Sequence, residues 1–121
     1  MPAPSPLVIA TGAVLRLVKE ENSYHKELVD QEKKVKSLED KIASGQGSED
    51  GNDEYMLKQQ KLAVDETKAV FDPLRKRLAD AVAKLEDQVA LAADGAASET
   101  ELQNAKDALG KAKEAQNEAT F

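Results

Sequence analysis

Apolar residues recur every three and four positions through the first forty-odd residues, at Leu7, Ala10, Val14, Leu17, Tyr24, Leu28, Val35, Leu38 and Ile42, with Glu21 and Gln31 holding the same phase. That spacing puts all eleven on one stripe of a helix, and such a stripe needs a partner helix to cover it. A second series with the same period runs Leu57, Gln60, Val64, Thr67, Phe71, Leu74, Leu78, Ala81, Leu85, Gln88, Ala92, widened at its later end by Val82 and Val89. Two long stripes of this kind exclude a sheet and call for helices packed side by side. Composition agrees: aromatics are 3% with no Trp, so a compact globule around a large aromatic core is excluded, while helix formers such as Ala, Leu, Lys and Glu are abundant.

Punctuation fixes the expected elements within a single domain over residues 1–121. The prolines at Pro2 and Pro4 make the first four residues extended or disordered. Ser5 followed by Pro6 is a cap and a first-turn proline, opening helix 1 over about 5–44, with Thr11 a fallback cap because Gly12 weakens the first turns. The run 45–52 has three glycines, no hydrophobe and a local negative charge, which reads as an acidic loop. Helix 2 then covers about 53–93. Asp94-Gly95-Ala96-Ala97 is a tight stop, and Ser98 with Glu101 forms a capping box for helix 3 over about 98–119, whose buried side reads Leu102, Ala105, Leu109, Ala112, Gln116. The fold class is therefore all-α: an elongated antiparallel three-helix bundle with two long helices and a shorter third.

At 1.5 Å per residue the first two helices would be about 60 Å long and the third roughly 33 Å. Folding helix 2 back on helix 1 sets Tyr24 opposite Pro73 and Ile42 opposite Tyr55. Helix 3 would then reach only to about Phe71 to Pro73, leaving one end three helices thick and the other two. Pro73 inside helix 2 deletes a backbone hydrogen bond and crowds the preceding turn, so a kink is expected there, with Tyr24 and Phe71 filling the space it opens; the alternative is a break into two shorter helices. Polar residues within the stripes, Glu21, Gln31, Gln60, Thr67 and Gln88, read as register selection or solvent exposure on a thin bundle. Acid-to-lysine pairs four apart, Asp30/Lys34, Glu32/Lys36, Asp72/Lys76, Asp80/Lys84 and Asp107/Lys111, support the helices by about 0.2 to 0.5 kcal/mol each.

Chemistry is sparse. The net charge is −6, yet residues 1–44 carry seven bases against seven acids and 55–93 seven against six, so no segment has the cationic excess that phosphate binding requires, and nucleic acid is disfavoured as a partner. No apolar run approaches a membrane span, and the start lacks the pattern of a signal peptide. Without cysteine there is no disulfide and no thiolate metal site, which fits a reducing cytosol. His25 is the only histidine, with no second soft ligand, and reads as a surface residue. The stretch from Asp50 fails as a calcium loop, because Tyr55 stands where the turn needs glycine and Lys61 where a glutamate should close the shell. Gly45, Gly47 and Gly51 follow a helix and sit among carboxylates, so they make no phosphate cradle. No catalytic group, cofactor or metal site is expected, and the chain reads as a non-enzyme.

The letters between the heptad positions carry more. Thr11-Gly12-Ala13-Val14-Leu15-Arg16-Leu17-Val18-Lys19-Glu20 is followed by Tyr24-His25-Lys26-Glu27, then by Tyr55-Met56-Leu57-Lys58-Gln59-Gln60, Asp65-Glu66-Thr67-Lys68, a mid-helix proline and Lys76-Arg77-Leu78. Over roughly residues 7 to 90 this order and spacing resembles the tubulin-specific chaperone A, or tubulin folding cofactor A, family; residues 94–121 match in helical character alone. The resemblance implies a cytoplasmic, cytoskeleton-associated three-helix protein without enzyme activity that captures β-tubulin folding intermediates released by the chaperonin and passes them to downstream tubulin folding cofactors for α/β heterodimer assembly. By position match it places partner contacts on Arg16, Lys19, Glu20, Lys26, Glu27, Lys58, Gln59, Lys76 and Arg77. The competing expectation is a structural coiled-coil module that self-associates as a homodimer through its two-helix end, where the stripes from Leu28 to Ile42 and Leu57 to Phe71 are only half covered. An amphipathic lipid binder is disfavoured by narrow stripes without aromatic anchors.

Overall fold

A computed structural model describes residues 4–46, 51–92, 95 and 97–118. The expected conformations of residues 1–3, of the acidic loop at 47–50, of positions 93, 94 and 96 in the second stop, and of 119–121 lie outside these. The described residues form three α-helices in the order α1 (Pro6–Ala43), α2 (Asn52–Ala92) and α3 (Glu99–Glu118).

Local chemistry explains both ends of α1 and the starts of α2 and α3. Ser5 Oγ accepts the Val8 N–H at 3.2 Å, so Ser5, and not Thr11, caps α1. Thr11 instead lies inside the helix, where its hydroxyl donates to the Leu7 carbonyl at 2.8 Å. At the far end, Gln46 N–H donates to Lys41 O and Gly45 N–H to Ile42 O, with Gly45 at φ 77°. These are the two reverse bonds of a Schellman stop, which needs a residue in the left-handed region. Gly51 supplies the carbonyl that receives the Tyr55 N–H, starting α2 one residue before the expected position, and Asp53 and Glu54 place negative charge in its first turn. Ser98 Oγ accepts the Glu101 N–H at 3.1 Å and opens α3.

Pro73 lies within α2, which continues through it. The alternative of two shorter helices is therefore corrected. Pro73 itself is exposed, so the helical donor missing for the Ala69 carbonyl lies on a solvent-facing side where water can replace it.

The chain divides into two compact units. The first comprises the described residues up to Asn22 and from Asp72 onward, and holds segments of all three helices; the second is Ser23–Phe71, with segments of α1 and α2. In the first unit one cluster unites Leu7, Val14 and Val18 of α1, Leu78, Leu85 and Ala92 of α2, and Ala105, Ala108, Ala112 and Ala115 of α3. The α3 contribution departs from expectation. Leu102 and Leu109 are half-buried flanks and Gln116 is exposed, while Ala108 and Ala115 join Ala105 and Ala112 at the centre. Ala105 and Ala112 lie where expected, whereas the stripe drawn through Leu102, Leu109 and Gln116 overlooks that methyl side chains let a helix approach its neighbours most closely.

The second unit has a smaller core. Leu28, Val64 and Phe71 are buried, with Tyr24 and Val35 packed against them. Tyr24 meets Phe71 edge-on at 6.4 Å between ring centroids, an arrangement favoured by the aromatic quadrupole. Lys41 pairs with Asp53 at 3.6 Å and Glu39 with Lys61 at 3.9 Å, so contacts in this unit advance along α1 as they retreat along α2.

Candidate partner-binding surface

Two polar residues that sequence places on the stripes, Glu21 and Thr67, are buried. Glu21 is fully buried in the first unit, and its Oε1 lies 3.8 Å from Arg75 Nε, whose side chain remains 31% exposed. The pair works as a register device in the sense that a charged group at one stripe position accepts only a cation across from it. Sequence identified Glu21 but not its partner, since nothing local links residues so distant along the chain. His25 corrects the reading as a surface residue. It is half-buried in the second unit, with its ring 4.5 Å from that of Phe71 and tilted by 38°.

Among the described residues no group of three or more His, Asp or Glu is arranged to hold a metal ion, and no helix is long and apolar enough to cross a membrane. What the surface offers is helix faces and the grooves between them. In the first unit, α1 and α2 border a groove of about 650 Å³ with Ile9, Ala10 and Ala13 on one side and Arg77, Asp80, Lys84 and Asp87 on the other. On the α3 side, two adjoining depressions share Leu15 and Lys111; one holds Val8, Thr11, Gly12, Glu101, Asp107 and Ala108, the other Val18, Lys19, Asn22, Glu114 and Ala115. In the second unit, Lys58 borders a shallow depression along α2 with Leu57, Lys61 and Leu62.

The nine residues named by sequence fall on these faces as follows. Arg16, Lys19, Lys76 and Arg77 are exposed and Glu20 half-exposed in the first unit; Lys26, Glu27, Lys58 and Gln59 are exposed in the second. Arg77 and Lys19 rim different grooves, and Lys58 borders a third depression, so the described geometry does not gather the nine into one pocket. Glu27 accepts a hydrogen bond from Gln31 at 3.4 Å. The large side chains left outside the cores, Val8, Ile9, Leu15 and Leu91 in the first unit and Val29, Tyr55, Met56 and Leu62 in the second, had no sequence signal beyond falling off the stripe.

Comparison with known proteins bears on what these faces serve. Curated protein sequences give no significant match. The crystal structure of tubulin folding cofactor A from Arabidopsis thaliana superposes with a TM-score of 0.74 at 30% sequence identity, covering 89% of this chain and 92% of that one. The family model described as tubulin binding cofactor A matches residues 2–109, which include all of α1 and α2 and the first half of α3. The structural likeness and the family match over most of the chain agree, and the chain belongs to the tubulin binding cofactor A family.

Proposed function

We propose that this protein is a tubulin-folding chaperone that captures and holds β-tubulin folding intermediates and releases them to downstream tubulin folding cofactors as the α/β heterodimer is assembled. The observation carrying the reading is the family match over residues 2–109. The physical account is that helix faces alone can do this work. A client's unfinished interface needs covering, not chemistry, and amphipathic helices with charged margins cover apolar surface reversibly. Contacts fall on Arg16, Lys19, Glu20, Lys26, Glu27, Lys58, Gln59, Lys76 and Arg77, whose side chains are open to a partner. The scaffold behind them is an antiparallel bundle bent at Pro73, and the protein works without enzyme activity in the cytoplasm, alongside the cytoskeleton. Capture of radiolabelled α- and β-tubulin chains made in a cell-free translation tests it. Preferential recovery of β-tubulin is expected; equal recovery of both chains, or of neither, refutes it.

A second reading has its own observation. The second unit buries few large side chains and leaves Tyr55 63%, Val29 50% and Leu62 47% exposed, which suits a homodimer through the two-helix region. A strictly monomeric sedimentation profile at high concentration would remove it.

A further inference from the structure

Gly12 stands in the interior of α1 without a reason inside the chain. Its backbone is not in the left-handed region, and a Cβ built on it meets nothing within 4 Å. A glycine there weakens the helix relative to alanine. No close approach within the molecule offsets that cost. The bare turn instead forms part of the groove between α1 and α3, flanked by Val8 and Leu15, which are 40% and 38% exposed. The groove continues past Leu15 and Lys111 into the depression beside Lys19 and Glu114. From the level of Glu101 to that of Ala115 this is about 21 Å, or four helical turns.

Charge is ordered along it. Glu101 and Asp107 supply two carboxylates at the Gly12 end, with Asp107 also accepting a hydrogen bond from Gln103 at 2.9 Å; Lys111 stands where the two depressions meet, and Lys19 and Glu114 share the other end. An acidic end giving way to lysines suits the N-terminus of a docked helix, which is positive.

We propose that this groove docks one amphipathic helix of about four turns from the captured β-tubulin intermediate, with an apolar side chain seated on the bare turn at Gly12 and a cationic N-terminal end against Glu101 and Asp107. The proposal rests on the chaperone reading above and assigns it a surface. A side chain at position 12 would occupy the seat, so Gly12 determines which partner fits. The position is a specificity determinant in which folding stability and binding pull in opposite directions.

The test uses three full-length variants. Gly12→Ala and Gly12→Gln fill the seat, while Gly110→Ala fills an equally open glycine on α3 that borders neither depression. All three should melt no lower than the parent protein, because each removes a helix-interior glycine without a clash. Capture of β-tubulin should fall by about tenfold or more for Gly12→Gln, less for Gly12→Ala, and not at all for Gly110→Ala. Asp107→Lys should weaken capture at low salt, and less so as salt rises. If Gly12→Gln captures β-tubulin as the parent does, the groove assignment is overturned and the chaperone reading stands. If the parent protein captures no β-tubulin, the chaperone reading falls and takes the assignment with it.

Discussion

Replacing Arg75 by leucine should cost far more than replacing Glu21 by leucine, although the two side chains face one another. At 3.8 Å and an effective dielectric of about 20 their attraction is about 4 kcal/mol, which largely offsets the cost of taking the Glu21 carboxylate out of water. The asymmetry lies in burial. The Glu21 side chain is 1% exposed, so in Arg75→Leu its carboxylate stays out of water and loses this cation, at a cost of about 3 kcal/mol. The Arg75 side chain is 31% exposed, so in Glu21→Leu the guanidinium can turn into water, and leucine fills a core position; the expected cost is within about 1 kcal/mol of zero. The double variant should lie near Glu21→Leu, giving a strongly non-additive cycle. Urea denaturation followed by far-ultraviolet circular dichroism reads all four proteins, with the midpoint compared at constant slope. Equal losses in the two single variants, or a double variant equal to their sum, would refute the argument that a buried carboxylate dominates this site.

Leu85→Ala should destabilise by about 3 kcal/mol, because the side chain is fully enclosed between three helices, whereas Leu62→Ala, nearly half exposed, should stay within about 0.5 kcal/mol; thermal melts compare the two. Ser98→Ala removes the acceptor for the Glu101 N–H and should cost about 1 kcal/mol, seen as faster amide exchange in the first turn of α3. Gly45→Ala forces a methyl into the left-handed region at the end of α1 and should lower stability by about 1 kcal/mol, with an unchanged result indicating that the stop can be remade another way.

Much of this architecture was legible because a period of three and four residues reports directly on burial. Val14, Leu28, Val64, Leu74, Leu78 and Leu85, all placed on the stripes, are buried. Caps were legible too, since Ser5 and Ser98 act through atoms a few residues away. Three features were not. The partner of Glu21 depends on which turn of α2 lies across from it, a property of tertiary register. The stack of His25 on Phe71 likewise joins distant segments, and a histidine adjoining a stripe residue reads as polar until its neighbour is known. On α3, Ala105 and Ala112 were legible but Ala108 and Ala115 were not, because a hydrophobicity ranking sets Leu102 and Leu109 above alanine, while the packed interface favours methyl groups. For the contacting surface, the nine charged and polar residues were named by likeness alone, and periodicity had no means of finding Gly12's groove, since an empty space has no letter.

The alanine seam of α3 has a consequence for how this chain can vary. Four methyl groups define a distance between helix axes but hardly a shape, since any sequence with small residues at those positions offers the same nearly flat strip. The interlocking knobs lie on α1 and α2, where exchanging Phe71 or Leu78 would require a compensating change across the core. The third helix is thus held by a generic key. Its outward positions away from the groove beside Gly12 can drift or be redesigned almost freely, making that side the natural place on this scaffold to attach new specificity without rewriting the core beneath.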